Sequence, residues 1–144
     1  MPDNDKIGAH KNILNPTQDI GRWVAEFDAS DLNITPIHWA KHALLDWLGV
    51  TLAGAQDPLV DILTSDALES GEEGQASLIG RNAQTTATFA AMINGAASHT
   101  LDYDDVNKRL HGHPTVPVVP ALLAMAQQNG TSCRNILESF IVGY

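Results

Sequence analysis

The stretch "TPIHWAKHALLDWLGVTLAG", residues 35–54, carries the clearest structural pattern in the chain. Thr35 followed by Pro36 is typical of a helix start, because a capping side chain precedes a residue with a preset backbone angle. Apolar side chains then recur every three or four residues, which predicts a helix with one face toward a core. That predicted face consists of Ile37, Ala40, Leu44, Trp47, Leu48, Thr51 and Leu52.

The same pattern continues on both sides of this stretch and predicts an all-α fold. Further helices are predicted from Thr17, from Asp57-Pro58 to about Gly71, over 85–101, from Pro117 to Gly130, and from Ser132 onward. The helix at 85–101 is apolar nearly all round, which is typical of a buried helix. Between these helices, "ASLIG" (76–80) is either a short strand or an extended connector.

Composition and chain ends limit the classes of protein to consider. Residues 1–15 are polar and are expected to form a flexible arm before a helical domain over 16–144. We expect that domain to be incomplete, since its last helix carries no stop signal. The net charge of −9 argues against nucleic-acid binding. No signal peptide or membrane-spanning run is present, so we expect a cytoplasmic protein with no membrane partner. Cys133, the single cysteine, is expected to be buried.

The stretch "ASHTLDYDDVNKRLHGHPTVP", residues 97–117, concentrates three aspartates and three histidines in an otherwise apolar region. Three interpretations are open: a metal site, a proton-transfer site, or a solvated acidic turn. The potential metal ligands are His99, Asp102, Asp104, His111 and His113. Their spacing matches no standard metal motif, so we predict no bound metal ion.

The proton-transfer interpretation depends on the loop bringing an aspartate and a histidine together. Histidine exchanges protons near neutral pH, and a carboxyl group in the same cavity can complement it as acid or base. Asp102 and His113 are the candidates for this pair. Lys108 and Arg109 lie between them and can bind a substrate carboxylate.

Four segments carry a resemblance to a known family: "LLDWLGVTLAG" (44–54), "MINGAASHTLDYDDV" (92–106), "GHPTVPVVPALLAMAQQNG" (112–130) and "LESFIVGY" (137–144). Together they resemble the opening third of the MmgE/PrpD family, which includes 2-methylcitrate dehydratase, cis-aconitate decarboxylase and iminodisuccinate epimerase. The resemblance implies the N-terminal part of a large helical domain, without the smaller lid domain, and a homodimer in the full-length form. It also implies proton chemistry on a small di- or tricarboxylate, such as 2-methylcitrate, with no cofactor.

Residue by residue, the resemblance gives Asp102 and His113 catalytic roles. The predicted substrate contacts are Val106, which stands where the family often has threonine, Arg109 and His111, the last of which otherwise faces solvent. The predicted supporting residues are His99, Asp104 and Asp105. His99 either orients Asp102 or is a satisfied core histidine, and the two aspartates are expected to shape the loop through bonds to backbone amides.

The resemblance therefore predicts the N-terminal portion of a lyase, either a dehydratase or a decarboxylase. An epimerase of the same family, or a truncated and inactive helical partner protein, are the alternatives. The family's other active-site residues fall beyond residue 144, so we expect the 144-residue chain alone to be inactive.

Overall fold

The structure is a computed structural model that describes residues 15–144. The described chain divides into two compact units, the first ending at Ser30 and the second spanning Asp31–Tyr144. The flexible arm expected over 1–15 lies, apart from Asn15, outside the described residues.

The first unit is built around helix α1, Pro16–Glu26. Its cap is Asn15, whose side chain accepts a hydrogen bond from the Gln18 amide at 3.2 Å. The prediction of a cap at Thr17 was therefore wrong by two residues, because asparagine caps a helix as well as threonine and proline favours the first helical position. A short 3₁₀ turn, Ala29–Asp31, follows this helix.

The second unit is mostly helical and confirms the predicted all-α class. Its elements in chain order are α2 (Ile34–Gly54), α3 (Pro58–Glu69), β1 (Ala76–Ser77), β2 (Gln84–Thr85), α4 (Ala87–His99), α5 (Thr115–Asn129) and α6 (Cys133–Gly143). The two strands pair antiparallel, with Ala76 opposite Thr85. The segment 76–80 is thus a strand for two residues and an irregular connector beyond them.

Three of the predicted helix starts in the second unit are shifted in the structure. Helix α4 begins at Ala87 and not at Thr85, because Thr85 pairs with Ala76 in the short sheet. Asn33, rather than Thr35, caps α2, and its side chain accepts from the Thr35 amide at 2.9 Å.

Helix α5 begins at Thr115, before the predicted start at Pro117. Pro120 consequently lies inside this helix and not in its first turn. It lacks an amide proton, so one backbone hydrogen bond of α5 is missing there.

Helix α4 lies at the centre of the second unit, as its apolar character predicted. It contacts α2, α3, α5 and both strands. Its buried residues are Ala90, Ile93, Asn94, Ala97 and Ser98. The small residues allow close approach of neighbouring backbones. At the end of α2, a side chain on Gly54 would overlap the carbonyl oxygen of Ala97.

The buried amide of Asn94 joins α4 to the strand region. Its nitrogen donates to the Ser77 carbonyl and its oxygen accepts from the Ile79 amide, both at 2.9 Å. Since Asn94 is almost fully buried, these bonds satisfy groups that would otherwise be costly to desolvate. They hold the connector after β1 against the central helix.

Two burial predictions need correction. Ala40, Trp47 and Thr51 of α2 are buried, but Leu48 and Leu52 are exposed because the helices packed on α2 leave that flank uncovered. Cys133 is exposed, since it is the first residue of α6 and lies at the open end of that helix. Among residues 15–144, no helix is long and apolar enough to cross a lipid bilayer.

Candidate active site

The loop between α4 and α5 folds back on itself through two residues in the left-handed backbone region. Asp102 and His111 both have φ of 54°, a conformation that short polar side chains tolerate better than most. The Asp102 amide donates to the His99 carbonyl at 2.9 Å, and the Asn107 amide donates to the Gly112 carbonyl at 2.9 Å. The second bond closes the tip of the loop over residues 107–112.

This folding brings four side chains together in what we term the His–Asp cluster: His99, Asp102, Asp104 and His113. One nitrogen or oxygen of each side chain lies within 4.8 Å of one from each of the others. His99 is the last residue of α4, and His113 lies two residues before the start of α5. Asp102 and Asp104 belong to the first half of the loop between the two helices. The side-chain cluster therefore depends on the ends of two packed helices and on the turn between them.

Asp104 is the buried centre of the cluster. Its side chain is 1% exposed, whereas those of His113, His99 and Asp102 are 27%, 52% and 79% exposed. Both Asp104 oxygens lie 3.0 Å from His99 Nδ1. The expectation that Asp104 bonds backbone amides is therefore wrong, because both of its oxygens bond His99 and one of them also faces the His113 ring. The view of His99 as a core histidine is wrong as well, since helix α4 ends there and half of its side chain remains exposed.

His113 lies between the two aspartates. Its Nδ1 is 3.0 Å from Asp104 Oδ2, and its Nε2 is 3.6 Å from Asp102 Oδ1. The Nδ1 contact is short, but the N–H direction misses the oxygen, so Nδ1 is buried with no hydrogen-bond partner among the described residues. The His99 and His113 rings meet edge to face at 4.8 Å. The structure thus places the two residues predicted to be catalytic, Asp102 and His113, side by side.

Asp105 is outside the cluster and bonds the first residue of α5 and the residue that follows α6. Its oxygens accept from the Thr115 amide at 3.2 Å, from the Thr115 hydroxyl at 2.6 Å and from the Tyr144 hydroxyl at 3.2 Å. Pro114 has no side chain that can cap helix α5. Asp105, which lies ten residues before Thr115, takes that role by accepting from the Thr115 amide. Burial, and then the negative charge of Asp105, raise the pKa of Tyr144 above its ordinary value.

The predicted substrate contacts lie at the loop tip or beside it, apart from the cluster. Val106, Arg109 and His111 are exposed, as is Lys108. None of them belongs to the His–Asp cluster. The loop tip therefore presents two cations and an imidazole to solvent.

The sequence reasoning missed the central position of Asp104 and the involvement of Tyr144. Asp104 and His99 are five residues apart, a spacing that places two side chains together only when the helix ends between them. Such an ending was signalled weakly, by Thr100 and the polar residues after it.

A metal ion is one possible occupant of the cluster by donor chemistry. Two imidazoles and two carboxylates are ligands that zinc and other divalent transition metals accept. His99, Asp102, Asp104 and His113 would hold such an ion. The three members that solvent reaches, His99, Asp102 and His113, can equally exchange protons with a small molecule.

An apolar groove opens between α2 and α6, with a volume of about 650 Å³. Trp39, Phe140 and Ile141 form much of its wall, and Asp105 and Tyr144 reach its edge. The hydrogen bond between these last two side chains therefore links the groove to the base of the site loop.

Comparison with known proteins places the chain in a family. A model of the MmgE/PrpD N-terminal domain matches residues 18–144. The cis-aconitate decarboxylase-like protein oryM of Aspergillus oryzae is 28% identical over 137 residues, covering 90% of this chain. The chain spans about 28% of the length of that curated relative. Because the family model covers most of the chain, including the whole His–Asp cluster, this chain belongs to the MmgE/PrpD family and residues 18–144 are its N-terminal domain.

Proposed function

We propose that this chain supplies part of the active site of a dehydratase or decarboxylase acting on a small di- or tricarboxylate. One observation carries the proposal: Nε2 of His113 lies 3.6 Å from Oδ1 of Asp102, at the solvent-facing side of the His–Asp cluster. Two proton-transfer groups in contact, both within reach of solvent, are what such a reaction needs. Membership of the family and the cis-aconitate decarboxylase-like relative support the same reaction type.

The chemistry assigns one group to the base and the other to the acid. In a dehydration, the base removes a proton from the carbon next to a carboxylate, and the acid protonates the hydroxyl that leaves as water. In a decarboxylation, the electrons of the broken carbon–carbon bond remain on the substrate carbon, and the acid protonates that carbon. Asp102 and His113 supply the base and the acid of a dehydration, and one of them supplies the acid of a decarboxylation.

The loop tip suits a substrate with several carboxylates. Lys108 and Arg109 are exposed cations, and a guanidinium group can bind a carboxylate through two parallel hydrogen bonds. We propose that Arg109 and His111 bind substrate after the tip closes over it. Val106 has no hydroxyl to offer, so the substrate need not carry a hydrogen-bonding group at that point. Substrates such as 2-methylcitrate and cis-aconitate fit this description.

Two variants of the whole protein, as its native source makes it, test the proposal. We expect Asp102→Asn and His113→Gln each to lower kcat about 10²- to 10⁴-fold, the usual contribution of a general acid or base. Asp66→Asn and His38→Gln are matched controls, since both residues are exposed and lie on other helices. Turnover is followed by NMR with 2-methylcitrate, cis-aconitate and related polycarboxylates. Near wild-type rates in either site variant would overturn the proposal.

The product of that assay also separates the reaction types. Loss of water or of carbon dioxide identifies a lyase. Exchange of a carbon-bound proton with solvent deuterium, with no loss of either, identifies an epimerase that uses the same pair to remove and return a proton. Absence of all three with intact folding would favour an inactive partner protein.

We also propose that the whole protein is a homodimer. Several large apolar side chains of α2 are exposed in the second unit, including Trp39, Leu45 and Leu52. Exposed apolar surface of this kind is typical of association sites. A molar mass twice that of one chain, measured by light scattering on the whole protein, would support the proposal, and a monomer would overturn it.

A further inference from the structure

Asp104 is unusual among the site residues because its carboxylate is buried between two imidazoles. His99 Nδ1 lies 3.0 Å from both of its oxygens, and His113 Nδ1 lies 3.0 Å from Oδ2. The Asp104 side chain is 1% exposed. A carboxylate removed from water is costly unless charged or hydrogen-bonding partners surround it. Within the described chain, the basic groups that face this carboxylate are these two histidines.

The side of each ring that faces Asp104 determines which nitrogen carries the proton. A carboxylate next to Nδ1 favours a proton on that atom, which leaves Nε2 of the neutral ring as a proton acceptor. For His113, the freed Nε2 lies 3.6 Å from Oδ1 of Asp102. Asp102 competes weakly for the ring proton, because it is farther from the ring than Asp104 is and its side chain is 79% exposed to water. Nδ1 of His113 is buried and makes no hydrogen bond to any described residue, so the Asp104 carboxylate is the group placed to accept its proton after a small turn of the ring.

We propose that Asp104 is a positioning residue that holds His99 and His113 in the Nδ1–H tautomer and so presents Nε2 of His113 as the proton-accepting atom. This proposal rests on the proposed function in one respect: the proton that Nε2 of His113 accepts is taken from the substrate of that reaction. Asp104 itself is too deeply buried to touch a substrate. It acts through the ring orientation and the tautomer of the two histidines.

The tautomers can be read directly by NMR of the 144-residue chain labelled with ¹⁵N-histidine. Long-range ¹H–¹⁵N correlation spectra distinguish the Nδ1–H tautomer, the Nε2–H tautomer and the doubly protonated ring, so the spectra are recorded at rising pH until both rings are neutral. We expect Nδ1–H for both His99 and His113. His42 is an internal standard outside the cluster, because its Nδ1 lies 2.9 Å from the His38 carbonyl and donates to it. An Nε2–H tautomer at His113 in the unaltered chain would overturn the proposal.

Asp104→Asn is the informative variant. An amide replaces one of the two accepting oxygens by an NH₂ group that can only donate, so an Nδ1 that faces this group loses the acceptor that held its proton. We expect at least one of the two histidines to shift to Nε2–H while His42 stays unchanged. Asp105→Asn is the matched control, since that carboxylate bonds Thr115 and Tyr144, and it should leave both cluster histidines as they are. Unchanged spectra of both in Asp104→Asn would overturn the proposal, and the unaltered chain still decides it if the variant fails to fold.

Two further measurements separate this proposal from its alternatives. After incubation with zinc chloride and dialysis, retained zinc that shifts the Nε2 signal of His113 would place that nitrogen on a metal and overturn the proposal, whereas an unchanged Nε2 signal supports it. In the whole protein, we expect Asp104→Asn to lower kcat at least 10-fold with little change in KM. If the tautomers are as expected but His113→Gln keeps full activity, the proposed function fails while the positioning role of Asp104 stands.

Discussion

The contact between α2 and α4 makes the position of Gly54 intolerant of any side chain. A Cβ added there would overlap the carbonyl oxygen of Ala97 and lie 2.8 Å from Cγ2 of Thr100. The carbonyl is backbone and cannot rotate away, so Gly54→Ala must push the two helices apart. Overpacking of a well-packed core costs typically about 1–3 kcal/mol.

Gly49 of the same helix is the matched control. It is exposed, and nothing lies within 4 Å of a Cβ added there. Replacing a glycine inside a helix by alanine stabilises it by roughly 0.5–1 kcal/mol, since alanine loses less backbone entropy. We therefore expect Gly54→Ala to lower the free energy of unfolding and Gly49→Ala to raise it, with a gap between them of at least about 1.5 kcal/mol.

Urea unfolding followed by far-ultraviolet circular dichroism, at one protein concentration, measures this gap. Equal slopes in the two variants would show that the change is in stability and not in the extent of unfolding. Gly54→Ala also moves the last turn of α4, so the His99 signals in the ¹⁵N spectrum should shift in this variant and not in Gly49→Ala. Equal midpoints for the two variants would refute the close packing of α2 on α4.

Two further predictions follow from polar contacts of the second unit. Because burial and Asp105 raise the pKa of Tyr144, ionisation opposes folding, so the free energy of unfolding should fall as the pH rises above the ordinary tyrosine value of 10.0. Melting temperatures between pH 8 and 11 should fall less steeply in Tyr144→Phe, and parallel curves would contradict this. Asn94→Ala leaves the Ser77 carbonyl and the Ile79 amide without their hydrogen-bond partner. It should lower the free energy of unfolding by about 1–3 kcal/mol in the same urea assay. An unchanged midpoint would show that water replaces both bonds.

The helices were predictable because apolar periodicity is a local property of the chain. The predicted caps of α1 and α2 were each two residues too late, because an asparagine precedes each threonine by two residues and the pattern does not rank the two residue types as caps. Burial was less predictable: Leu52 continues the apolar face of α2, yet whether another helix covers it depends on the whole fold. Cys133 was misjudged for the same reason.

The site was predictable only as far as the family resemblance reached. That resemblance selected Asp102 and His113, and the structure places them together, but their catalytic roles stay predictions. The position of Asp104 was beyond pattern analysis. It depends on a left-handed turn at Asp102 and another at His111, and such backbone angles have no periodic signature in the sequence.

The hydrogen bond between Asn107 and Gly112 divides the site loop into two parts that can evolve separately. Below the bond, the His–Asp cluster is held by the ends of α4 and α5 and tolerates little change. Above it, residues 108–111 contribute two positive charges and an imidazole without supporting either helix. Under the proposed function, insertions, deletions or charge reversals in that tip change the choice of substrate and spare Asp102 and His113. A segment of four residues is then enough for relatives with this loop to diverge in substrate.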